Sequence, residues 1–162
     1  MKTHRRRTSP RRTGHAPAAT GAQAASALAR ARTKLGAPYV LATAGPETFD
    51  CSGFTWWVAE PIIGPLDFEL RSSHHQFNVW GEPVPGEALR PGDLLFFDSM
   101  GVTVFGNRAS HVGLYLGEGR FVHASGRHHG VVVSDLAEPY YQSHWAGARR
   151  LVGAASIAAT SR

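Results

Sequence analysis

The sequence predicts an α+β fold in which helices come first and an antiparallel sheet follows. Two segments before residue 61 have helical spacing or helix-capping residues, and five short segments after residue 90 have the composition of strands. The chain has 162 residues, 43% of them hydrophobic and 18% charged, which suits one domain with a core of its own. We therefore expect N-terminal helices packed on a single antiparallel sheet.

A first helix is expected over Gln23–Leu35, because small apolar residues recur there at helical spacing and a glycine and a proline follow. A second helix is expected to begin at Cys51, with Asp50 as its N-cap and Pro61 closing the segment. Cys51 then lies in the first helical turn, where free backbone N–H groups and the helix dipole favour a thiolate. The pattern therefore predicts a lowered pKa for this thiol.

The strands are expected in the second half of the chain, after a connection punctuated by proline and glycine over residues 61–90, which holds at most one short helix. Their predicted bounds are Leu94–Phe97, Val112–Leu116, Arg120–Ala124, Val131–Ser134 and Ala148–Val152, the last having the least marked pattern.

The turn at Gly117–Gly119 decides whether two histidines share a face of the sheet. If these residues form a three-residue loop, Leu116 pairs with Arg120, and His111 and His123 become diagonal neighbours on one face. A two-residue loop would send the two imidazoles to opposite faces. On pattern alone, the two histidines could equally be half-buried residues with ordinary hydrogen bonds.

The net charge of +5 is unevenly distributed. Residues 1–46 hold nine Lys and Arg and no acidic residue, whereas residues 47–162 hold eight Lys and Arg against twelve Asp and Glu, a balance of −4. The folded surface is therefore not expected to bind nucleic acid.

Residues 1–22 are expected to form a disordered basic tail, since they lack hydrophobic periodicity and are rich in Arg, Pro, Thr and Ala. This tail is either simply solvated or attached to an anionic polymer, a membrane surface or nucleic acid. Residues 23–153 form the expected folded domain, and residues 154–162 a flexible C-terminal tail. No signal peptide is visible after the arginines, and no stretch reaches the roughly 18 apolar residues of a membrane-spanning helix.

Cys51 is the single cysteine, which excludes an internal disulfide and a Cys-x-x-Cys motif. A lone cysteine is usually a small buried hydrophobe, and a nucleophilic one needs a base and a group that orients the base. The adjacent pairs His74-His75 and His128-His129 make poor chelates, because neighbouring side chains of a strand point to opposite faces. No metal or other cofactor is expected.

Four separated motifs resemble the NlpC/P60 family of cysteine peptidases. They are FDCSGF at 49–54, RPGDLLFF at 90–97, SHVGLYLG at 110–117 and FVHA at 121–124, and a tyrosine, Tyr39, precedes them. The resemblance runs from about residue 24 to 152. It implies a papain-like core and an enzyme that cuts bacterial peptidoglycan peptides, often between D-γ-glutamate and diaminopimelate or lysine.

The resemblance also assigns roles. Cys51 corresponds to the nucleophile, His111 to the general base, and His123 to the third polar residue, which orients the base. Tyr39 corresponds to the family tyrosine beside the oxyanion site. Residues 40–43 carry side chains where the family often has glycines, so the wall on the oxyanion side is expected to be bulkier.

Three further residues match family positions near the substrate. Asp50 and Ser52 correspond to positions that approach the substrate's amine or peptide in some members, although helix capping explains them equally well. Arg71, which opens RSSHHQ at 71–76, resembles the family's R-[ST]-S-x-x-Q stretch and is expected to form a groove wall. The loop over residues 98–106 is either a lid, a partner surface, or a loop that packs on itself.

The function hypothesis is a cysteine endopeptidase or amidase that hydrolyses peptidoglycan stem peptides of the D-γ-glutamyl-diamino acid type, outside the cytoplasm at the cell wall. Two alternatives stay open. One is an acyltransferase that uses the same Cys/His pair, and the other is a non-catalytic cell-wall binding module, favoured by residues 40–43. The expected partners are stem peptides and, for the tail, an anionic polymer. The export route stays open, as does a phage or cytoplasmic setting.

Overall fold

The computed structural model describes residues 21–65, 68–99 and 109–151. In it, three helices precede a six-stranded antiparallel sheet, and a fourth helix lies before the last strand. The strands lie in the order β1-β6-β2-β3-β4-β5. The helices are α1 (Gly21–Arg32), α2 (Cys51–Ile63), α3 (Ser73–Val79) and α4 (Pro139–Ser143). The strands are β1 (Glu82–Val84), β2 (Leu94–Phe97), β3 (His111–Gly117), β4 (Arg120–Ser125), β5 (Gly130–Asp135) and β6 (Trp145–Arg150).

The predicted α+β class is confirmed, and all five predicted strands form, with ends that differ from the prediction by at most three residues. The sequence pattern does not predict β1 or α4. β1 has three residues, one of them Pro83, and pairs with β6 at the edge of the sheet. α4 has five residues, and no side chain caps its N-terminus. Elements this short leave no measurable period.

Parts of the prediction lie outside the described residues. These are the basic tail up to residue 20, residues 152–162 and the loop over 100–108. Within the ranges that the structure describes, no helix is long and apolar enough to span a membrane.

α1 differs from its prediction at both ends. It begins at Gly21, two residues before the expected domain boundary, and ends at Arg32 rather than Leu35. Residues 33–36 form a turn, after which the N–H of Gly36 donates to the carbonyl of Val131 in β5 at 2.9 Å. Leu35 therefore leaves the apolar stripe of the helix and is 49% exposed.

α2 is the central helix, because most of its side chains are buried. It packs against α1 on one side and against β3 and β4 on the other. The helix continues two residues past Pro61, contrary to the expectation that this proline closes it. Since Pro61 lies near the C-terminus, its missing N–H removes a single hydrogen bond. Gly64, at a φ of 71°, ends the helix by donating to the carbonyl of Glu60 at 2.8 Å.

The sheet is covered on both faces. On one face, Val112 and Leu114 of β3 join Val122 of β4 in the core beneath α1 and α2. On the other, Phe97 and Phe121 pack with Tyr141 of α4. Because both faces are buried, β2 is apolar at all four positions rather than alternating.

The turn between β3 and β4 has two residues, the shorter of the two loops considered. Gly117 pairs with Arg120, which leaves Glu118 and Gly119 as the loop. Both loop residues have positive φ, 54° and 74°, as a type I′ turn requires. The pairing of Leu116 with Arg120, which a three-residue loop would give, therefore does not form.

A β-bulge compensates for the shorter turn. The register of β3 shifts between Tyr115 and Gly117, so that Tyr115 pairs with Phe121. This extra residue restores the alternation that a three-residue loop would give. His111 and His123 therefore lie on the same face of the sheet.

Gly113 lies between the two histidines, and we predict that it tolerates no side chain. In Gly113→Ala, the added Cβ would lie 2.7 Å from Cδ2 of Phe121 and 3.1 Å from both the Cβ of His123 and the carbonyl oxygen of Val122. We expect a loss of about 1–3 kcal/mol in the free energy of unfolding, measured by urea denaturation.

Gly86→Ala is the matched control, since a Cβ there meets no atom within 4 Å, and we expect a change within about 0.5 kcal/mol. Equal unfolding midpoints for the two variants would contradict the prediction.

Candidate active site

One cleft brings together the sulfur and the two imidazoles that the sequence singles out. It has a volume of about 220 Å³. Cys51, His111 and His123 line it, together with Tyr39, Ser99, Ser110, Ser125, Gly126, Arg127, Tyr140 and Tyr141. α2 contributes its first residue, Cys51, and β3 contributes its first residue, His111. The cysteine Sγ lies 4.0 Å from the carbonyl oxygen of Ser110, the residue before β3.

His111 and His123 form a hydrogen-bonded pair. His111 Nε2 and His123 Nδ1 are 2.7 Å apart, and the two rings are inclined at 76°. The opposite nitrogen of His123, Nε2, lies 2.9 Å from Ser134 Oγ in β5. The hydroxyl of Tyr141 in α4 donates to the same Ser134 oxygen at 3.3 Å. Four side chains therefore form a hydrogen-bonded chain that starts at the cleft and ends in the core.

The hydrogen bonds that join His111, His123 and Ser134 all form when both histidines carry their proton on Nε2. His111 then donates to Nδ1 of His123, and His123 donates to Ser134. The same assignment leaves Nδ1 of His111 without a proton, as a general base requires.

Burial keeps both candidate reactive groups neutral. It raises the pKa of the Cys51 thiol to about 11, and the neighbouring Asp50 carboxylate adds to this effect. Burial also lowers the pKa of His111 to about 4, with a smaller contribution from His128. The pKa of His123 is lowered for the same reasons and by His111 as well. The sequence-based expectation of a lowered thiol pKa is wrong, because desolvation outweighs the N–H groups at the start of α2.

Tyr39 lines the cleft with its hydroxyl protonated. Burial, followed by the neighbouring Cys51 and Asp50, raises the pKa of Tyr39 above its ordinary value of 10.0. A neutral phenol donates one hydrogen bond. The structure thus places a donor in the cleft at the tyrosine that the family resemblance assigns to the oxyanion site.

Asp50 holds the backbone around Cys51. Its carboxylate accepts from the N–H of Gly53 at 2.7 Å and from the N–H of Ala42 at 2.9 Å. Arg71 donates to both oxygens, at 3.0 and 3.1 Å. The acceptor positions of this carboxylate are therefore occupied by the protein itself, as the helix-capping interpretation requires.

Ser52 and Arg71 share this structural setting. The hydroxyl of Ser52 donates to Asp50 at 3.4 Å, and the buried side chain of Gln76 donates to the carbonyls of Ser52 and Arg71 at 2.8 and 2.7 Å. Asp50, Ser52 and Arg71 are not among the described residues that line the cleft. Their role toward substrate stays a prediction.

The wall expected from residues 40–43 lies elsewhere. Ala42 has a φ of 64°, and the N–H of Thr43 donates to the carbonyl of Val40 at 3.3 Å, so the segment turns back on itself. As a result Val40 and Leu41 are 42% and 76% exposed and do not line the cleft. The expectation of a bulkier cleft wall from these side chains is wrong.

Among the residues of the site that sequence reasoning missed, four bear on its chemistry. Ser134 and Tyr141 extend the histidine chain, and Arg127 and Tyr140 line the cleft. Ser134 lies on a predicted strand, so strand alternation could have found it. Both tyrosines lie on α4, which the sequence pattern does not predict. In the described part of the chain, no three His, Cys, Asp or Glu side chains are grouped as a metal site would need.

A cysteine at the start of a buried helix and a histidine pair on an antiparallel sheet meet in one cleft, the set of side chains that a cysteine peptidase requires. A match to the family model described as the NlpC/P60 family covers residues 36–150. The chain therefore belongs to the NlpC/P60 family, as its motifs predict.

Individual relatives agree with this assignment. The chain is 38% identical over 117 residues to the gamma-DL-glutamyl hydrolase of Bacillus subtilis, covering 72% of this chain and 26% of that protein. It is 34% identical over 117 residues to the murein DD-endopeptidase MepS/murein LD-carboxypeptidase of Escherichia coli, covering 72% and 57%. The chain thus spans only part of these curated relatives.

Solved structures share the fold. An NLP/P60 family protein from Staphylococcus aureus superposes with a TM-score of 0.70 at 30% identity, covering 85% of this chain and 44% of that one. The NlpC/p60 domain of the peptidoglycan hydrolase SagA gives a TM-score of 0.65 at 27% identity, covering 79% and 98%. The likeness extends over most of this chain.

The buried neutral histidines predict a loss of stability in acid. The unfolded chain binds a proton on His111 near pH 6.5, whereas the folded imidazole binds one only near pH 4. Between these values the unfolded state holds more protons, so the free energy of unfolding falls as the pH falls, by about 1.4 kcal/mol per pH unit for this histidine. We expect His111→Gln to reduce that slope in urea denaturation between pH 7 and pH 5.

His74→Gln is the control, because His74 is exposed and its replacement should leave the slope as in the wild type. Identical slopes for the wild type and His111→Gln would show that His111 is not the buried titrating group.

Proposed function

We propose that this chain is a cysteine peptidase that hydrolyses amide bonds of peptidoglycan stem peptides at the cell wall, at the D-γ-glutamyl-diamino acid bond. The observation that carries the proposal is the 2.7 Å contact between His111 and His123 in the cleft that also holds Cys51. Two relatives support it: a murein DD-endopeptidase supports peptidoglycan as the substrate class, and a gamma-DL-glutamyl hydrolase supports the γ-glutamyl bond.

In this mechanism, the proton leaves the sulfur as the sulfur attacks. The thiol and His111 both start neutral, since burial raises the pKa of one and lowers that of the other. Nδ1 of His111 takes the proton while Sγ of Cys51 bonds to the scissile carbonyl carbon. The proton on Nε2 of His111 stays on its hydrogen bond to His123, which holds the ring in place.

Two donors serve the oxygen that becomes negative. The backbone N–H of Cys51 belongs to the first turn of α2 and has no carbonyl acceptor within the helix. The hydroxyl of Tyr39 is the second donor in the cleft. Donors fixed before the reaction stabilise the tetrahedral intermediate without reorganisation.

Collapse of the intermediate releases the amine. Protonated His111 returns its proton to the leaving nitrogen, and a thioester on Cys51 remains. Water, deprotonated by the same imidazole, then attacks the thioester and frees the enzyme. An amine in place of this water would give acyl transfer, so the two reactions share every residue of the site and differ in the acceptor.

The first test of this function is cleavage of defined muropeptides, with products identified by mass spectrometry. We expect Cys51→Ala and His111→Ala each to lower kcat/KM by at least about 10³-fold, because each removes a member of one reacting unit. Ser143→Ala, at an exposed serine, should retain wild-type activity.

The same assay separates the three candidate functions. Products that gain water identify a hydrolase, and products that gain an added amine identify an acyltransferase. Activity retained in Cys51→Ala, or absent in the wild type, would overturn the proposal.

Ser134 is a positioning residue in this scheme. It touches His123 rather than the reacting atoms, with 2.9 Å between its Oγ and His123 Nε2. Ser134→Ala removes the nearer partner of that buried nitrogen and leaves the Tyr141 hydroxyl at 3.5 Å, so we expect a drop in kcat of about tenfold with KM changed by less than twofold. Ser134→Thr keeps the hydroxyl and should recover most of the loss. An unchanged kcat in Ser134→Ala would remove Ser134 from the scheme.

A further inference from the structure

The cleft contains one cation for which the scheme above gives no role. Arg127 lies in the turn between β4 and β5 and lines the cleft. Among the described residues that line this cleft, it alone belongs to the types Lys, Arg, Asp and Glu. Because His111 and His123 are neutral, Arg127 supplies the formal charge of the cleft at neutral pH.

The Arg127 guanidinium, on an exposed side chain, lies over an aromatic ring. Its central carbon lies 4.6 Å from the ring centroid of Tyr140 in α4, within the range of a cation–π contact. Tyr140 also lines the cleft. Stacking leaves the N–H groups at the edge of the guanidinium plane available as donors.

The turn that carries Arg127 is fixed to the site. The hydroxyl of Ser125 accepts from the N–H of His128 at 3.3 Å, and the carbonyl of His129 accepts from the N–H of Tyr39 at 3.2 Å. Gly126 packs closely on the ring of Tyr39, so that a Cβ there would lie 3.4 Å from it. The turn that carries Arg127 is thus packed against the tyrosine proposed to serve the oxyanion.

The Arg127 guanidinium has no counter-charge among the described residues. In the part of the chain that is described, no carboxylate lies within 4.0 Å of it, and the ion pairs found there use Arg30, Arg71 and Arg150 instead. The carboxylate adjacent in sequence to Cys51, that of Asp50, is taken by Arg71. A cation in a cleft with no protein anion suits an anionic group of the substrate.

We propose that Arg127 binds a free carboxylate that flanks the scissile amide and thereby sets the preference of the enzyme for acidic over amidated substrates. The inference rests on the proposed function. A γ-linked glutamyl residue keeps its α-carboxylate free, a few bonds from the carbonyl that Cys51 attacks. Beyond the bond, a diaminopimelate residue, or a lysine that ends the peptide, also keeps a free carboxylate. The flat, forked guanidinium matches a carboxylate with two parallel hydrogen bonds.

Three synthetic peptides test this role: L-Ala-γ-D-Glu-L-Lys, the same peptide with the glutamate α-carboxylate as a carboxamide, and the same peptide with the lysine carboxylate as a carboxamide. The measurement is the ratio of kcat/KM between the parent and each amide. We expect the wild type to prefer the parent over one of the amides by roughly 10- to 100-fold, and Arg127→Gln to reduce that ratio to within about threefold. The amide that shows the effect identifies which carboxylate Arg127 binds.

Two further variants sharpen the test. Arg127→Lys keeps the positive charge but loses the two parallel N–H donors of the guanidinium. We therefore expect a kcat/KM ratio between those of the wild type and Arg127→Gln. Arg120→Gln, at an exposed arginine at the other end of β4, should keep the wild-type ratio. Because each ratio compares substrates on one preparation, a partly unfolded variant does not distort it.

The outcomes separate this inference from the proposed function. The role of Arg127 is overturned if the wild type cleaves the parent with no preference over either amide, or if the preference is unchanged in Arg127→Gln. In both cases the proposed peptidase activity is still supported. If the wild type cleaves none of the three peptides, both the proposed D-γ-glutamyl-diamino acid bond and the role of Arg127 are overturned.

Discussion

The carboxylate of Asp50 is the interaction on which the position of the proposed nucleophile depends. It joins three separate stretches of chain: the start of α2 through Gly53, the turn before it through Ala42, and the segment before α3 through Arg71. A side chain at residue 53 would collide with the carbonyl of Thr43 and with both members of the ion pair. Close approach of these backbones, rather than helix flexibility, therefore explains the glycine two residues after Cys51.

The histidine pair shows how two local deviations can cancel. A two-residue turn alone would separate His111 and His123 to opposite faces, because side chains alternate along a strand. The bulge before Gly117 adds the residue that restores the register. Turn residues in a sequence predict a hairpin and its approximate centre. They do not predict a bulge, which depends on how the strands twist and pack once β4 is also paired with β5.

The reacting residues predicted from sequence lie on long elements, whereas the two tyrosines that were missed lie on a short one. Cys51 and the two histidines could be found because helix capping and strand alternation fix their placement. Tyr140 and Tyr141 lie on a five-residue helix, whose position over the sheet is set by contacts such as that between Tyr141 and Phe97. Such tertiary contacts leave no period in the sequence. The pKa of the thiol was misjudged for a similar reason, since burial is a property of the whole fold.

A neutral thiol and a neutral imidazole in one cleft mean that the site must stabilise charge during the reaction rather than in the resting enzyme. A resting thiolate–imidazolium pair would carry its own charges into a buried cleft, at a desolvation cost that the contacts here do not offset, as the raised pKa of Cys51 and the lowered pKa of His111 indicate. In the proposed mechanism, charge separation then belongs to the attack itself, when the negative charge passes to an oxygen near the Tyr39 hydroxyl. In such a site a fixed cation favours the anionic intermediate as well as an anionic substrate. Arg127, stacked on Tyr140 and free of a protein counter-charge among the described residues, occupies that position in the cleft.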